Sequence, residues 1–595
     1  MIVTMNKVFI VAADRDRDHL LAALQRLGVV HLTPVDAARA VAEEATVSAM
    51  DRLNRAIQIL ENTRPAGTPV QMDPLAAAGE VLRIQRESSE RNNRLAALHL
   101  QMEQLALWGD VRLEQFAALR QAGVRVEFYA VPRKAVGEVR AECVQPLGPW
   151  AGKKTLVALI QRGGEATLPA GSEPVPVPTR DRPTIRAEAA RLDAAQKADV
   201  AQLAGLVHLA GAMQTARTKL RADALWTVAT RSALADPNLY ALQGWAPVDL
   251  ATTLAADLRA AGVETAVQTT PPCPDDQPPT LVKYAWWARP MKGLFDMLGT
   301  VPGYGEFDVS AAFMIFLPIF SAILISDAGY GLLYFLLPLV LYRRMKAAGA
   351  AELAQLILFV GLLSLVWGVV TCSFFGFNIS GWFGRDRPWI AVDMKADSMN
   401  LLMYLSVTFG AIHLSLAHLW KAKAAFPRLN FVSEVGWAIW LWGMYGGVKF
   451  FLLNDPFAWD ALPYYPYLLI VGGALAILFA SPNRNPLKMF GLGLANFPLS
   501  AIGTFGDTVS YVRLMAIGLG GSALAVTFNQ MGEALPIYGT IPVLMLGHAL
   551  NVALSVVSLL AHGVRLNMLE FSNNLGMQWS GYAYEPFSKN RSQES

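Results

Sequence analysis

The 595-residue chain is short of charge. Asp, Glu, Lys and Arg make up 16% of it, against roughly 25% in soluble domains, which argues against an ordinary cytosolic enzyme. It also lacks a basic excess. A formal net charge of +3 sets aside a nucleic-acid binder, and no nucleic-acid partner is expected. Only three cysteines are present, Cys143, Cys273 and Cys372. They are far apart with no CxxC spacing, which excludes a disulfide framework and a cysteine zinc site, and no metal or cofactor is expected. A phosphate-binding GxxxxGK[ST] loop is missing as well: Gly148–Thr155 falls one residue short of the glycine spacing and has no strand–loop–helix pattern around it. The first 20 residues become charged too soon for a secretory signal, so the charged part of the chain is expected to stay in the cytoplasm.

What remains is apolar: 53% of residues are hydrophobic and mean hydropathy is +0.33. The charge that exists is concentrated early, with 64 of the 97 charged residues before position 291. Residues 1–290 read as a cytoplasmic α/β arm. Lys7–Ala12 and Gly28–Leu32 look like strands. Long Ala/Leu/Glu/Arg/Gln stretches from about Ala38 to Gln121, and again from Thr184 to Leu225, predict extended helices, partly coiled-coil-like and antiparallel. Strand-like segments lie between them at Val124–Val131 and Thr155–Gln161. Leu242–Pro247 falls between helical runs, and Pro271–Pro279 is a linker by composition.

From Ala311 onward the chain reads as a transmembrane domain of eight apolar segments, each near the ~20 residues that cross a hydrocarbon core. They span about 311–326, 329–342, 353–375, 401–420, 432–453, 464–480, 497–531 and 539–571. The last two exceed 30 residues and must tilt or project beyond the bilayer. Loop charges orient the set. With the arm inside, the inner loops hold Arg343, Arg344, Lys346, Lys421, Lys423, Arg428, Arg484 and Lys488. The outer loops hold only Arg385, Arg387 and Lys395, beside the acids Asp386, Asp393, Asp397, Asp455, Asp460 and Glu533. This bias predicts a multi-pass cell-membrane protein with both termini cytoplasmic.

Ionisable groups inside hydrocarbon are functional candidates by default. Arg513 is foremost, far from either end of the seventh segment and protonated under any ordinary perturbation. Asp507, six residues earlier, is about 120° off its face, a poor in-helix partner. Arg565 lies nearer the cytoplasmic end of the last segment, with Glu570 as one available partner and His562 three residues before it. Asp327 ends the first segment on the outer side, beside a Gly-Tyr-Gly that lets helices approach closely. Glu434, Lys449 and His413 are weaker candidates. Measured from the turn near Pro536, the two arginines differ in depth by six residues, roughly 9 Å at helical rise.

These residues sit in ordered motifs. Asp507–Leu519 (D-x-x-S-Y-x-R-L-x-A-x-G-L) and His562-x-x-Arg565-Leu566…Glu570-Phe571 are similar to the last two helices of the membrane stator subunit of V-type/A-type rotary ATPases, called subunit I in prokaryotes and subunit a in eukaryotes. Gly244-Trp245-Ala246-Pro247, Tyr304-x-Glu306-Phe307-Asp308, Ser326–Gly331, Trp367-Gly368…Phe374-Phe375-Gly376 and Tyr584-Glu585-Pro586-Phe587 add to the resemblance, which runs through nearly the whole chain. Departures are Asp507 and Gly521, where eukaryotic members carry histidine, Ser326 in place of a common glycine, and Ser555 in place of an acid. Asp507, Gly521 and the short length resemble a prokaryotic form.

The resemblance implies a non-catalytic, ion-translocating subunit. Its partners are expected to be a rotor ring of proteolipid subunits bearing buried carboxylates, the peripheral stalk subunits, the central-stalk cap subunit and membrane lipid. It implies Arg513 as the essential cation and Arg565 as its reinforcement. By topology, Asp507 suits the inner half-channel and Asp327 the outer one. The translocated ion is a proton or sodium. A stand-alone secondary ion transporter with a cytoplasmic regulatory domain is the alternative, and a structural membrane anchor is a third reading.

Overall fold

The computed structural model describes residues 1–588 apart from 36–42, 67–70, 165, 237, 386–387, 393–394, 454–463 and 483–484. Six of the orienting loop charges, Asp386, Arg387, Asp393, Asp455, Asp460 and Arg484, lie outside the described residues. In chain order the arm region contains β1 (Met5–Ala13), α1 (Arg17–Leu27), β2 (His31–Thr33), α2 (Glu44–Glu61), α3 (Pro74–Gln104), α4 (Leu113–Gln121), β3 (Arg125–Pro132), β4 (Cys143–Trp150), β5 (Lys154–Gln161), β6 (Glu173–Pro174), α5 (Arg182–Leu206), α6 (Ala210–Ser232), β7 (Leu234–Asp236), β8 (Leu239–Pro247), α7 (Val248–Ala260) and β9 (Thr265–Thr270). The apolar region follows as α8 (Pro290–Leu298), α9 (Ser310–Ile325), α10 (Ala328–Ala347), α11 (Ala351–Val370), α12 (Ala396–Ala425), α13 (Asn430–Leu453), α14 (Tyr465–Phe479), α15 (Pro486–Ser510), α16 (Val512–Glu533) and α17 (Ile537–Ser558). Two compact units result. One is Met1–Ile10, Val29–Thr33 and Gln243–Pro586; the other is Val11–Gly28, Pro34–Leu242 and Phe587–Ser595.

In the second unit, α2, α3, α5 and α6 pack side by side around Leu53, Leu60, Val81, Ile84, Leu206 and Met213. Arg91 of α3 pairs with the buried Asp199 of α5, so charge as well as apolar area holds the long helices in register. A four-stranded sheet, ordered β4-β5-β3-β6, completes this unit. The Gly148–Thr155 segment falls on the antiparallel β4–β5 pair, a setting with no helix N-terminus to hold phosphate. The helix expected over Thr184–Leu225 is two helices, α5 and α6, divided by a 3₁₀ turn at Val207–Leu209. Gly205 and Gly211 flank that turn, weak helix formers on either side of it.

In the first unit, strands run in the order β2-β8-β1-β9. Leu242–Pro247, between the helices α6 and α7, is part of the strand β8. Gly244 faces β2 so closely that a Cβ would sit 2.5 Å from the His31 carbonyl oxygen, which requires glycine in the Gly-Trp-Ala-Pro motif. The carboxy-terminal strap returns to this sheet. Tyr584 donates its phenol to the Val29 carbonyl, and the Glu585 amide donates to His31 Nδ1 at 2.9 Å. The linker over Pro271–Pro279 is also tethered, since Lys7 pairs with Asp276 at 2.7 Å.

The apolar helices pack around Phe320, Leu324, Leu414, Leu441, Tyr511, Leu514 and Leu566. Among the described residues, four helical stretches are long and apolar enough to cross a membrane: Ala351–Val370, Asp397–Ala425, Leu487–Glu533 and Ile537–Leu575. Ser310–Ile325 and Tyr465–Phe479 are shorter apolar helices. α10 and α11 form a hairpin whose backbones touch at Gly331, Gly361 and Gly368. A Cβ at any of the three would overlap the opposite main chain, the small-residue packing favoured where lipid supplies no hydrophobic drive.

Two outcomes follow. Gly361→Ala is expected to weaken the α10–α11 hairpin by about 1–3 kcal/mol, the usual penalty for overpacking; thermal unfolding in detergent checks it. The second concerns the strap. Burial holds His31 below the ordinary histidine value of 6.5, the Glu585 carboxylate opposing in part. The neutral ring is thus favoured in the folded state, so its contribution is present above pH 6.5 and lost as pH falls below it. Protection factors against amide exchange at Tyr584 and Glu585 are expected to fall between pH 7.5 and pH 5, and His31→Phe to abolish that dependence.

Candidate functional site

The long seventh segment is interrupted at Tyr511, between α15 and α16. No proline causes this. Tyr511 is fully buried and its hydroxyl is 2.8 Å from His413 Nδ1. His413 in turn stacks on Phe571 at 4.4 Å, so it serves packing. Lys449, the other weak candidate, lies over the rings of Tyr404, Tyr445 and Tyr465 at 4.8–5.8 Å.

Arg513 follows the break by two residues. Its guanidinium approaches Glu570 at 3.9 Å, and Arg565 approaches the same Glu570 oxygen at 3.5 Å. Glu570 is 4% exposed, whereas the arginine side chains are 23% and 53% exposed. The arginines thus converge on one carboxylate. α17 continues through two π-helical turns, Leu559–Gly563 and Leu566–Phe571, on either side of Arg565. Such wide turns absorb extra residues per turn and recur at functional positions. The cluster remains unfilled. Arg513 Nη1 and Glu570 Oε2 are buried without a hydrogen-bond partner, as is Nδ1 of His562, which lies within electrostatic reach of both arginines.

Asp507 is not the partner of Arg513. Asn574 Nδ2 donates to Asp507 Oδ2 at 2.7 Å, and a chain of contacts leads on. Asn574 Oδ1 is 3.2 Å from His418 Nε2, His418 Nδ1 is 2.9 Å from Glu434, and Lys421 reaches Glu434 at 2.8 Å. These residues line an open cavity of about 250 Å³ with Ser500, Gly503 and Thr504. His418 thus links Glu434 to Asn574, and through Asn574 to Asp507. Asp507 and Glu434 are brought together here, although 73 residues separate them in sequence.

Asp327 lies elsewhere and is 2% exposed. One oxygen accepts from the amides of Gly329, Tyr330 and Phe375; the other accepts from the Ser373 hydroxyl and the Gly376 amide, all at 2.6–3.1 Å. It caps α10 and clasps the turn at 373–376. Ser326 just before it has φ +48°, a left-handed conformation that glycine adopts without cost. Beside this turn Tyr330 meets His548 and Asn551 of α17.

The sequence pointed to Arg513, Arg565, Asp507, Glu434 and His562 one at a time. It missed His418 and Asn574, each unremarkable locally and joined only by packing of α12, α13, α15 and the end of the last helix.

Helical stretches long and apolar enough to cross a membrane thus carry two arginines that meet one buried carboxylate. The chain's homologues are V-type and A-type ATP synthase subunit I proteins of bacteria and archaea. It is 26% identical over 632 residues to V-type ATP synthase subunit I 1 of Treponema pallidum, covering 99% of this chain and all of that protein. It is 32% identical over 375 residues to V-type ATP synthase subunit I of Borreliella burgdorferi, covering 58% of this chain and 60% of that protein. A-type ATP synthase subunit I of Methanocaldococcus jannaschii is 24% identical over 54% of this chain. No family model matches the chain.

Glu570→Ala is expected to leave two guanidiniums facing each other. Removing one partner of a fully buried pair costs 3–5 kcal/mol, and the partial exposure of the arginines reduces this to about 1–3 kcal/mol. Thermal unfolding of the detergent-solubilised protein tests it. An unchanged midpoint would mean that other groups hold the arginines.

Proposed function

We propose that this chain is the stator subunit of a rotary V/A-type ATPase or ATP synthase, carrying the half-channels through which protons or sodium reach the rotor ring. One observation carries the reading. Arg513 is a permanent cation on a membrane-length helix, and its buried Nη1 has no hydrogen-bond partner. Glu570 is shared with Arg565, so one carboxylate faces two guanidiniums and the cluster keeps a net positive charge. A passing carboxylate from outside the chain completes it.

The mechanism follows from electrostatics. A ring carboxylate must be neutral while it faces lipid, because an isolated ion there costs several kcal/mol or more. Beside Arg513 the ionised form is favoured, so the ion is released only at that position. The guanidinium does not give up its own proton, which blocks direct leakage across the site. The Asp507–Asn574–His418–Glu434 cavity supplies the inner half-channel, with Lys421 at its polar end. A membrane potential contributes about 2.3 kcal/mol per charge per 100 mV, so several ions must pass per ATP, as a ring allows.

In this reading all eight apolar segments cross the membrane, both termini are cytoplasmic, and residues 1–290 form the arm that anchors the peripheral stalks and meets the central-stalk cap. ATP is made or hydrolysed by other subunits. A stand-alone transporter would act without partners, whereas this chain is expected to copurify with ATPase subunits and a proteolipid ring.

In the complex reconstituted into vesicles, Arg513→Ala is expected to reduce ATP-driven ion uptake to background while the complex still assembles. Arg513→Lys is the stricter variant, since lysine keeps charge but shifts its pKa readily when buried. It too is expected to pump poorly. Normal pumping by Arg513→Ala sinks the proposal.

A further inference from the structure

Beyond Val370, where α11 ends, the chain forms a turn that is packed on one side and bare on the other. β10 (Ser373–Phe374) pairs antiparallel with β11 (Phe377–Asn378), and a 3₁₀ turn follows at Ser380–Phe383. Four aromatic rings stand on the bare side. Trp382 is 75% exposed, and Phe377, Phe383 and Trp389 are 44–48% exposed. The rings are held in place by one another. Trp382 lies 6.1 Å from Phe374 between ring centroids, and Phe383 meets Trp389 edge-on at 5.4 Å. The Arg385 guanidinium sits over the Trp389 ring at 4.8 Å.

The packed side fixes this turn to the bundle. The Ile379 amide donates to the Cys372 carbonyl at 2.8 Å, and Ile379 and Ser380 are buried. Asp327 binds the Ser373 hydroxyl and the Phe375 and Gly376 amides. Asn529 of α16 donates to the Phe375 carbonyl at 2.8 Å. Further on, Ile390 and Val392 pack on Leu402 of α12 and on Met515 and Leu519 of α16, and the Ser522 hydroxyl donates to the Val392 carbonyl at 3.3 Å. The space beneath the aromatic residues is therefore filled, and they cannot turn inward to escape water. Rings kept bare by a rigid backing mark a contact with something outside the chain.

The helix that leads into the turn identifies the contact as lipid. α11 is long and apolar enough to cross a membrane. Phe359, Leu362 and Val366 recur along it at spacings of 3 and 4 as an exposed apolar stripe, which leads to Val370 and the turn. A bilayer covering that stripe meets the four rings at its surface. There a ring body rests on acyl carbon while an indole N–H reaches water. Arg385 suits the same level, because its stem lies along apolar surface and its guanidinium pairs with phosphate.

We infer that Phe377, Trp382, Phe383 and Trp389 form a rigid aromatic anchor seated in the headgroup layer of the phospholipid bilayer, in the outer leaflet under the topology proposed above. Through Phe375, Ile390 and Val392 the anchor is tied to α16, so it sets the depth of the helix that carries Arg513. The inference goes beyond the stator reading and stands without it.

The test uses the full chain in the assembled complex, reconstituted into phospholipid vesicles, with the exposed Cys143 and Cys273 changed to Ser and the buried Cys372 kept. A nitroxide is attached at Trp382→Cys and, in separate samples, at Phe377→Cys, at Phe359→Cys on the α11 stripe and at Leu100→Cys on the arm. Collision with oxygen, which concentrates among acyl chains, and with a neutral water-soluble nickel chelate gives the depth of each label. The labels at Trp382→Cys and Phe377→Cys are expected within about 5–10 Å of the boundary between headgroups and acyl chains. Phe359→Cys is expected deeper, and Leu100→Cys in water. Either anchor label decides the outcome if the other variant does not assemble. Nickel contact as free as at Leu100→Cys places the turn in water and overturns the anchor. Shielding from both nickel and oxygen means that a protein covers the rings, which overturns it as well. Depth is read without pumping, so normal ion uptake by Arg513→Ala sinks the stator reading alone.

Discussion

Two guanidiniums share one carboxylate inside an apolar helix bundle, and the rest of the membrane unit is arranged around that imbalance. At an effective dielectric near 20, charges about 4 Å apart attract by roughly 4 kcal/mol, while removing each ion from water costs several kcal/mol. Glu570 can therefore keep Arg513 and Arg565 in place without neutralising them. A site with balanced charge would be a structural ion pair. One with an excess cation and open hydrogen-bonding atoms is suited to a counter-charge that arrives and departs.

Side chains from two helices meet at the same oxygen, and both helices depart from regular α geometry nearby, at Tyr511 and in the two π turns around Arg565. The His413–Tyr511 contact and the His413–Phe571 stack bind the break to the end of the last helix, so the distorted segments brace each other. On the other side, glycine contacts between α10 and α11 and the carboxylate of Asp327 set the turn that carries Tyr330. Rigid supports thus surround a site that is itself left unsaturated.

Much of this was legible beforehand, for identifiable reasons. A single arginine among apolar residues is conspicuous because few other settings tolerate it, and Arg513 stood out on that ground alone. Apolar runs interrupted by charged turns located the helices, since hydrophobic length is a one-dimensional property. Asp327 was conspicuous too, but its place as the cap of α10 was not, because three of its five donors come from the turn at 373–376, more than 40 residues away. The Gly-Trp-Ala-Pro strand was not legible as a strand, because its reason for glycine, the His31 carbonyl, lies more than 200 residues away.

The sequence by itself determined the division into a charged amino-terminal region and an apolar one, and the permanence of the buried cation. Both are matters of composition and spacing along the chain. Tertiary structure decided which charges meet. Glu570 between the arginines, and His418 with Asn574 between Glu434 and Asp507, join groups from different helices. Their contacts depend on helix rotation, local π geometry and packing, none of which a residue's neighbours in sequence can specify.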